Sequence, residues 1–526
     1  MRFSIVRAID LFSPTSRSRV RSTLITLILI LLALGLADAA PEPSDETSKL
    51  VRKGVKLTRA GSYEEAEAIL RQAVELSSGR SDARLELAFV LIKQRKLREA
   101  YNISFDIAAD EPKNSRAFAI LGTTLLTAGR FHDARLVLNN AIKLNRREHL
   151  AWASFGLLDF YENKIDASFY NLSQAVTQQP HEPDYLFSLG QVAARGERYT
   201  LAADAYQQFL KFAIVSDADR RDRIKGLITY LRFLGEVGDL YTNGGKDNTS
   251  VSFDLVGDRP MIEIRINGKD EPLKFILDTG SSISVMSEET AKRFKVKPVT
   301  KGGFARGIGG DGKFPIVYGF LRQVEIGLVK LKNVPIYLRK FHTESRGIDG
   351  YIGLSLISRF MTTIDYGEKI FALTRKNADA RSFDDSVGVA LPLRLTSSGF
   401  LSGEVELEGM DGALNFIVDT GASVSVISDR VARTDALSPF INEQKLRVIG
   451  SAGVTDGAST FSLPQVKFGK HARRDIMAVA LDLDIINEAS GFEQSGILGG
   501  NFLKNYRLTF DFKNSKVIFD PVVASH

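Results

Sequence analysis

The spacing of apolar residues changes twice along this chain, and each change predicts a different kind of element. An apolar run from Leu24 to Leu36, its one hydroxyl at Thr26, comes first. From about 47 to 215 the apolar positions recur at helical spacing. Beyond about 250 they alternate with polar ones, as in Met261-Ile262-Glu263-Ile264-Arg265-Ile266, closed by Asn267-Gly268. Alternation with period two, ended by an Asn-Gly turn, predicts a β-hairpin. Between the last two regimes Thr242-Asn243-Gly244-Gly245 reads as a linker.

The helical stretch repeats itself. Ala66, Ala100, Ala134 and Ala202 stand at a spacing of 34 with Ser168 in the remaining place, and Ala88, Gly122, Gly156 and Gly190 keep the same spacing twelve residues upstream. Tyr63, Leu97, Phe131, Ile165 and Tyr199 fill a large apolar place three before each small one. Small residues let paired helices approach, and large ones fill the groove that the next pair covers. Pro112 and Pro180 stop second helices, and Asp219 to Tyr241 reads as a further amphipathic helix capping the exposed end. This stretch resembles the tetratricopeptide repeat family. The resemblance implies a helical solenoid over 47–241 with Ala119, Thr123, Ala153, Leu157, Phe187 and Gln191 on its concave face, where a protein partner would dock. That face holds no Lys and Asn cluster able to clamp a peptide carboxylate; a purely architectural role is the other reading.

The alternating half is written twice. Phe275-Ile276-Leu277-Asp278-Thr279-Gly280-Ser281-Ser282 is answered by Phe416-Ile417-Val418-Asp419-Thr420-Gly421-Ala422-Ser423. Register then holds: Gln323-Val324-Glu325-Ile326-Gly327 pairs with Gln465-Val466-Lys467-Phe468-Gly469, and Tyr351-Ile352-Gly353 with Ile497-Leu498-Gly499. Asp365-Tyr366 and Asp511-Phe512 follow, each expected to start a final strand. The duplicated units span about 250–375 and 385–524. Each resembles the retropepsin-like aspartic peptidases, which implies two all-β domains forming a pseudo-dimer with one active site between them. The resemblance carries over onto Asp278 and Asp419 as the catalytic pair, supported by Thr279, Gly280, Thr420 and Gly421. Two abutting carboxyls suit amide hydrolysis, because they share one proton and so supply an acid and a base together. Gly307, Gly309 and Gly310, and Gly450 and Gly453, lie about 30 residues after the two aspartates and read as flap hairpins closing over a polypeptide substrate. The string Gly307 to Gly312 also spells a dinucleotide fingerprint, but Lys313-Phe314-Pro315 follows where that motif needs a helix. Neither hairpin carries the tyrosine of pepsin-type flaps.

Composition narrows the chemistry. The chain has 526 residues and no cysteine, which excludes disulfides, thiolate nucleophiles and thiolate metal sites. Its six histidines show no ligand spacing, and no cofactor or metal is expected. A net charge of +6 on this length leaves no nucleic-acid footprint. Arg2, Arg7, Arg17, Arg19 and Arg21 precede the apolar run and Ala37-Asp38-Ala39 follows it, the order of a secretory signal. Residues 1–39 are thus expected to be a signal peptide or an uncleaved N-terminal anchor, and the remainder exported; a membrane enters only if the segment is retained. The expected function is an exported aspartic endopeptidase. The alternatives are a non-catalytic peptide-binding scaffold, and a dimer in which each half pairs with its twin. Because each β unit is expected to bury its own core, residues 248–526 should fold without the repeats.

Overall fold

The computed structural model describes residues 45–213, 218–310, 312–342, 347–375, 389–392 and 394–522. The segment expected to direct export lies outside them. Paired antiparallel helices fill the first part: α1 (Asp45–Ala60), α2 (Tyr63–Leu76), α3 (Ser81–Lys93), α4 (Leu97–Asp110), α5 (Ser115–Thr127), α6 (Phe131–Leu144), α7 (His149–Tyr161), α8 (Ile165–Gln178), α9 (Pro183–Arg195), α10 (Tyr199–Phe212) and α11 (Ala218–Val237). Among these residues no helix is long and apolar enough to cross a membrane.

The repeat owes its closeness to holes and knobs. A Cβ at Gly54, Gly122, Gly156 or Gly190 would meet Leu70, Leu138, Leu172 or Tyr206, at 2.5, 2.6, 2.7 and 3.0 Å. Ala88 fills the same hole, and the knob at the matching place is the smaller Ser104. The one serine among the repeat alanines, Ser168, is fully buried and donates its hydroxyl to the Gly156 carbonyl at 2.7 Å, so its polarity is satisfied.

Two equivalent β domains follow. In the first, the strand Gly350–Ile352 lies between Leu273–Leu277, to which it is parallel, and Val285–Ser287, to which it is antiparallel. In the second, Gly496–Leu498 lies likewise between Leu414–Val418 and Ser425–Ser428. Gly350 and Gly496 are required there: a Cβ on either would stand 2.2 Å from the ring of Phe275 or Phe416, the phenylalanine opening each octet. A six-stranded sheet joins the domains, with Phe360–Asp365 of the first paired antiparallel to Tyr506–Asp511 of the second. Asp365 and Asp511 therefore end strands rather than begin them. Their carboxylates accept backbone N–H groups of Gly367 and Glu368, and of Asn514, which turns the chain into the final strands at Ile370 and Lys516.

The array and the β domains are packed into one body. The expected capping helix α11 does cover α10, through Ile224 and Leu231, but its other face carries Tyr230 and Leu234 into the core of the first β domain. Tyr230 stacks on Tyr318 at 4.4 Å and donates its hydroxyl to the Gly319 carbonyl at 2.8 Å. The expected linker is likewise an edge strand: Thr242–Asn243 pairs antiparallel with Leu331 and Lys332, and the Gly244 N–H donates to Lys330. At the other end of the interface Phe492, from the second β domain, is fully buried among array residues, 4.9 Å from Phe131 and 5.0 Å from Tyr161 between ring centroids. Burying one such side chain is worth roughly 1.5 to 3 kcal/mol.

Candidate active site

Each aspartate follows the strand of its octet and enters a turn fixed by the strand beside it. The Asp278 N–H donates to the Ile352 carbonyl at 2.9 Å, and the Asp419 N–H to Leu498 at 3.0 Å. Ser284 and Ser425, each six residues past its aspartate, accept the N–H of Gly353 and of Gly499, both at 3.1 Å. These serines escape a reading that stops at the octet, although the next residues, Ile283-Ser284 and Val424-Ser425, continue the match.

The two turns interlock. Thr279 donates its hydroxyl to the Val418 carbonyl at 2.6 Å and accepts the Thr420 N–H at 3.1 Å; Thr420 donates to Leu277 at 2.7 Å and accepts the Thr279 N–H at 3.2 Å. Both threonines are fully buried, so these bonds have no water to compete with. The glycines allow the approach: a Cβ on Gly280 would lie 2.4 Å from the Asp419 carboxyl carbon, and one on Gly421 2.6 Å from that of Asp278. Asp278, Thr279, Gly280, Asp419, Thr420 and Gly421 therefore form one cluster at the domain junction.

Over it lie two hairpins, of strands Pro298–Arg306 and Lys313–Ile326, and of Ile441–Ile449 and Val454–Phe468. Their tips touch: Ala452 N–H donates to Ile308 at 2.8 Å and Gly310 N–H to Val454 at 3.1 Å. Gly307 and Gly450 line the cavity that holds the aspartates. Gly309, Gly310 and Gly453 serve the tip contact instead; a Cβ on Gly309 would lie 2.2 Å from the Gly453 carbonyl oxygen, and its φ of +89° already excludes most side chains. Ile308 and Ile449 make the cavity roof partly apolar.

With this geometry in hand, comparison with known proteins is specific. Residues 262–356 match the aspartyl protease family and residues 404–505 the gag-polyprotein putative aspartyl protease family, while residues 57–122 and 154–218 match tetratricopeptide repeat families. The chain carries two aspartyl protease domains behind a tetratricopeptide array. Among solved structures, a tetratricopeptide protein of Thermus thermophilus is similar at 21% identity over 35% of this chain and 98% of its own, with a TM-score of 0.31. Pseudomonas aeruginosa PilF is similar at 18% identity over 36% and 85%, with a TM-score of 0.28.

Electrostatics separates the roles of the two protease-domain aspartates. Burial raises the Asp278 carboxyl well above the usual carboxylate range, and the charge of Asp419 beside it raises it further. Burial also raises Asp419, but N–H groups of Gly421, Ala422 and Gly280 and the Asp278 carboxyl all stabilise its anion. The Gly421 contact measures 2.7 Å. Both carboxyls are raised, and these contacts favour the anion on Asp419 over one on Asp278. Among the described residues no cluster of acids and histidines could hold a metal ion.

The array contributes to the same cavity. Thr123, Ala153, Leu157, Phe187 and Gln191 of the expected concave face line it. Ala119 does not, because its short side chain is buried within the helix packing. No feature of the octets signals this second wall, since it depends on how the solenoid curves.

Proposed function

We propose that the chain is an aspartic endopeptidase whose single site uses Asp419 as base and Asp278 as acid. Supporting this above all is the interlocking of two aspartate turns, one from each domain of the same chain, beneath paired flap tips. Asp419 takes a proton from water as its oxygen attacks the scissile carbonyl carbon, and Asp278 gives its proton to the carbonyl oxygen. When the tetrahedral intermediate collapses, the proton held by Asp419 passes to the leaving nitrogen and a hydroxyl of the intermediate returns one to Asp278. Both carboxyls then stand as they began. The Thr279 and Thr420 hydroxyls hold the two turns in register, so neither carboxyl needs reorganisation during the reaction.

The reading predicts pepstatin-sensitive cleavage of an unfolded protein at acid pH. Asp278→Asn and Asp419→Asn should each abolish it, and the double variant should lose little more, since residues acting as one unit are not additive. If each single variant kept about half the activity, the halves would be separate sites; inertness of the wild type from acid to neutral pH would favour the peptide-binding scaffold. We also propose export, with the mature chain starting at Ala40. Edman sequencing of the exported protein tests this, and an intact Met1 chain found only in washed membranes would establish an anchor.

A further inference from the structure

The concave face of the array and the aspartate cleft line one continuous cavity of about 2290 Å³. Pockets that enclose small ligands reach only about 1,000 Å³. One wall is a single position of successive repeats: Phe89 of α3, Thr123 of α5, Leu157 of α7 and Gln191 of α9, each 34 residues from the next. Arg116 pairs with Glu86 and Glu148, and Lys93 with Asp184, while Arg59, Glu182, Arg195, Arg220 and Arg223 also line the cavity. The Gln191 amide makes no hydrogen bond among the described residues and faces the cavity.

The wall is fixed relative to the cleft. Where the two meet, the Arg195 guanidinium lies 3.6 Å from the Phe160 ring centroid and donates to the carbonyls of Thr396 at 2.6 Å and Ser397 at 3.1 Å. The next turn reaches the aspartate loop itself, since a Cβ on Gly399 would stand 2.8 Å from Ser282. A chain lying across Asp278 and Asp419 therefore lies in the same cavity that the array lines.

We propose that this concave row is an extended subsite of the peptidase, occupied by an apolar flank of the same polypeptide whose bond lies at the aspartates. The inference rests on the peptidase reading. The aromatic and aliphatic members of the row bury apolar side chains of the flank, and Gln191 offers a donor and an acceptor to its main chain. Pairing of Arg116 and Lys93 with array carboxylates withdraws those two cations from the flank. The absence of a Lys and Asn clamp from the row means the flank is held along its length and not by a terminal carboxylate. Ten extended residues reach about 33 Å, and packed helices stand about 8 to 10 Å apart, so such a flank can cross several of them.

Three fluorescent peptides test this: an eight-residue core, the core with a ten-residue Leu, Ser and Gly flank at its N-terminus, and the core with the same flank at its C-terminus. Affinities are read by anisotropy on the full mature chain carrying Asp278→Asn, and turnover on the wild type. One flank should tighten binding at least tenfold and the other less than twofold. Leu157→Glu, and separately Gln191→Ala, should bring the favoured peptide back toward the affinity of the core. Equal affinity for all three peptides, or equal gains from both flanks, overturns the subsite. Absence of wild-type turnover overturns the peptidase reading by itself, and the pattern of affinities still decides the subsite.

Discussion

Thr279→Val is the sharpest test of how the two aspartates are held together. Valine has the shape of threonine, so no cavity forms and the change isolates the hydroxyl. Two buried backbone groups lose their hydroxyl partner, the Val418 carbonyl at 2.6 Å and the Thr420 N–H at 3.1 Å. A buried polar group left without its partner costs about 1 to 3 kcal/mol, so the pair costs about 2 to 6 kcal/mol. At the lower bound that is a fall in Tm of roughly 2 to 4 °C, because the cooperative unit exceeds about 250 residues. Thr279→Ser keeps the hydroxyl and removes one methyl, about 1 kcal/mol. Thr420→Val should resemble Thr279→Val, because its contacts with Leu277 and Thr279 mirror them at 2.7 and 3.2 Å. The assay is thermal unfolding by circular dichroism beside initial rates on a model peptide, where both valine variants should also lose turnover as the carboxyls lose register. A Thr279→Val protein that melts within about 1 °C of wild type at full turnover would refute the role given to the interlock.

Asp278→Asn should stabilise the protein at neutral pH while inactivating it. The native state raises the pKa of this carboxyl and so binds its proton more tightly than the unfolded chain, which makes wild-type stability fall as pH rises through the raised value. The amide lacks that slope, so its Tm advantage should be present at pH 7 and vanish near pH 3.5; an advantage equal at both would show that folding does not raise the Asp278 carboxyl. Gly156→Leu should cost about 1 to 3 kcal/mol or more, because even its Cβ would lie 2.7 Å from Leu172 and 3.1 Å from that residue's backbone nitrogen. Gly79→Ala, with nothing within 4 Å, should melt within 1 to 2 °C of wild type and serves as its control. Residues 248–526 alone should melt below the full chain, since Tyr230, Leu234, Leu240 and Tyr241 belong to the core of the first β domain, and restoring Ala218 to Asp247 should recover part of the loss. Equal melting of the fragment and the full chain would return the array to a separate module.

What the sequence determined by itself was whatever depends on residues close in the chain or on copying. The 34-residue period announces paired helices because the hole and knob that set it lie sixteen residues apart, as Gly156 and Leu172 do, within one helical hairpin. The doubled octet announces two aspartate turns because each is built from its own strand and a glycine-bearing neighbour, and duplication repeats both. Contacts between distant segments were decided only in three dimensions. Helix α11 reads as a cap because its pattern shows apolar residues without showing which of two partners each face meets, and Thr242–Asn243 reads as a linker because a strand's partner, here Leu331 and Lys332, leaves no mark in its own composition. The single cavity behind the aspartates depends on the curvature of the whole solenoid and on its fastening at Phe492, Tyr230 and Arg195. Curvature accumulates from small rotations between repeats, so no one repeat encodes it, and the burial of apolar faces against the β domains selects where the array comes to rest.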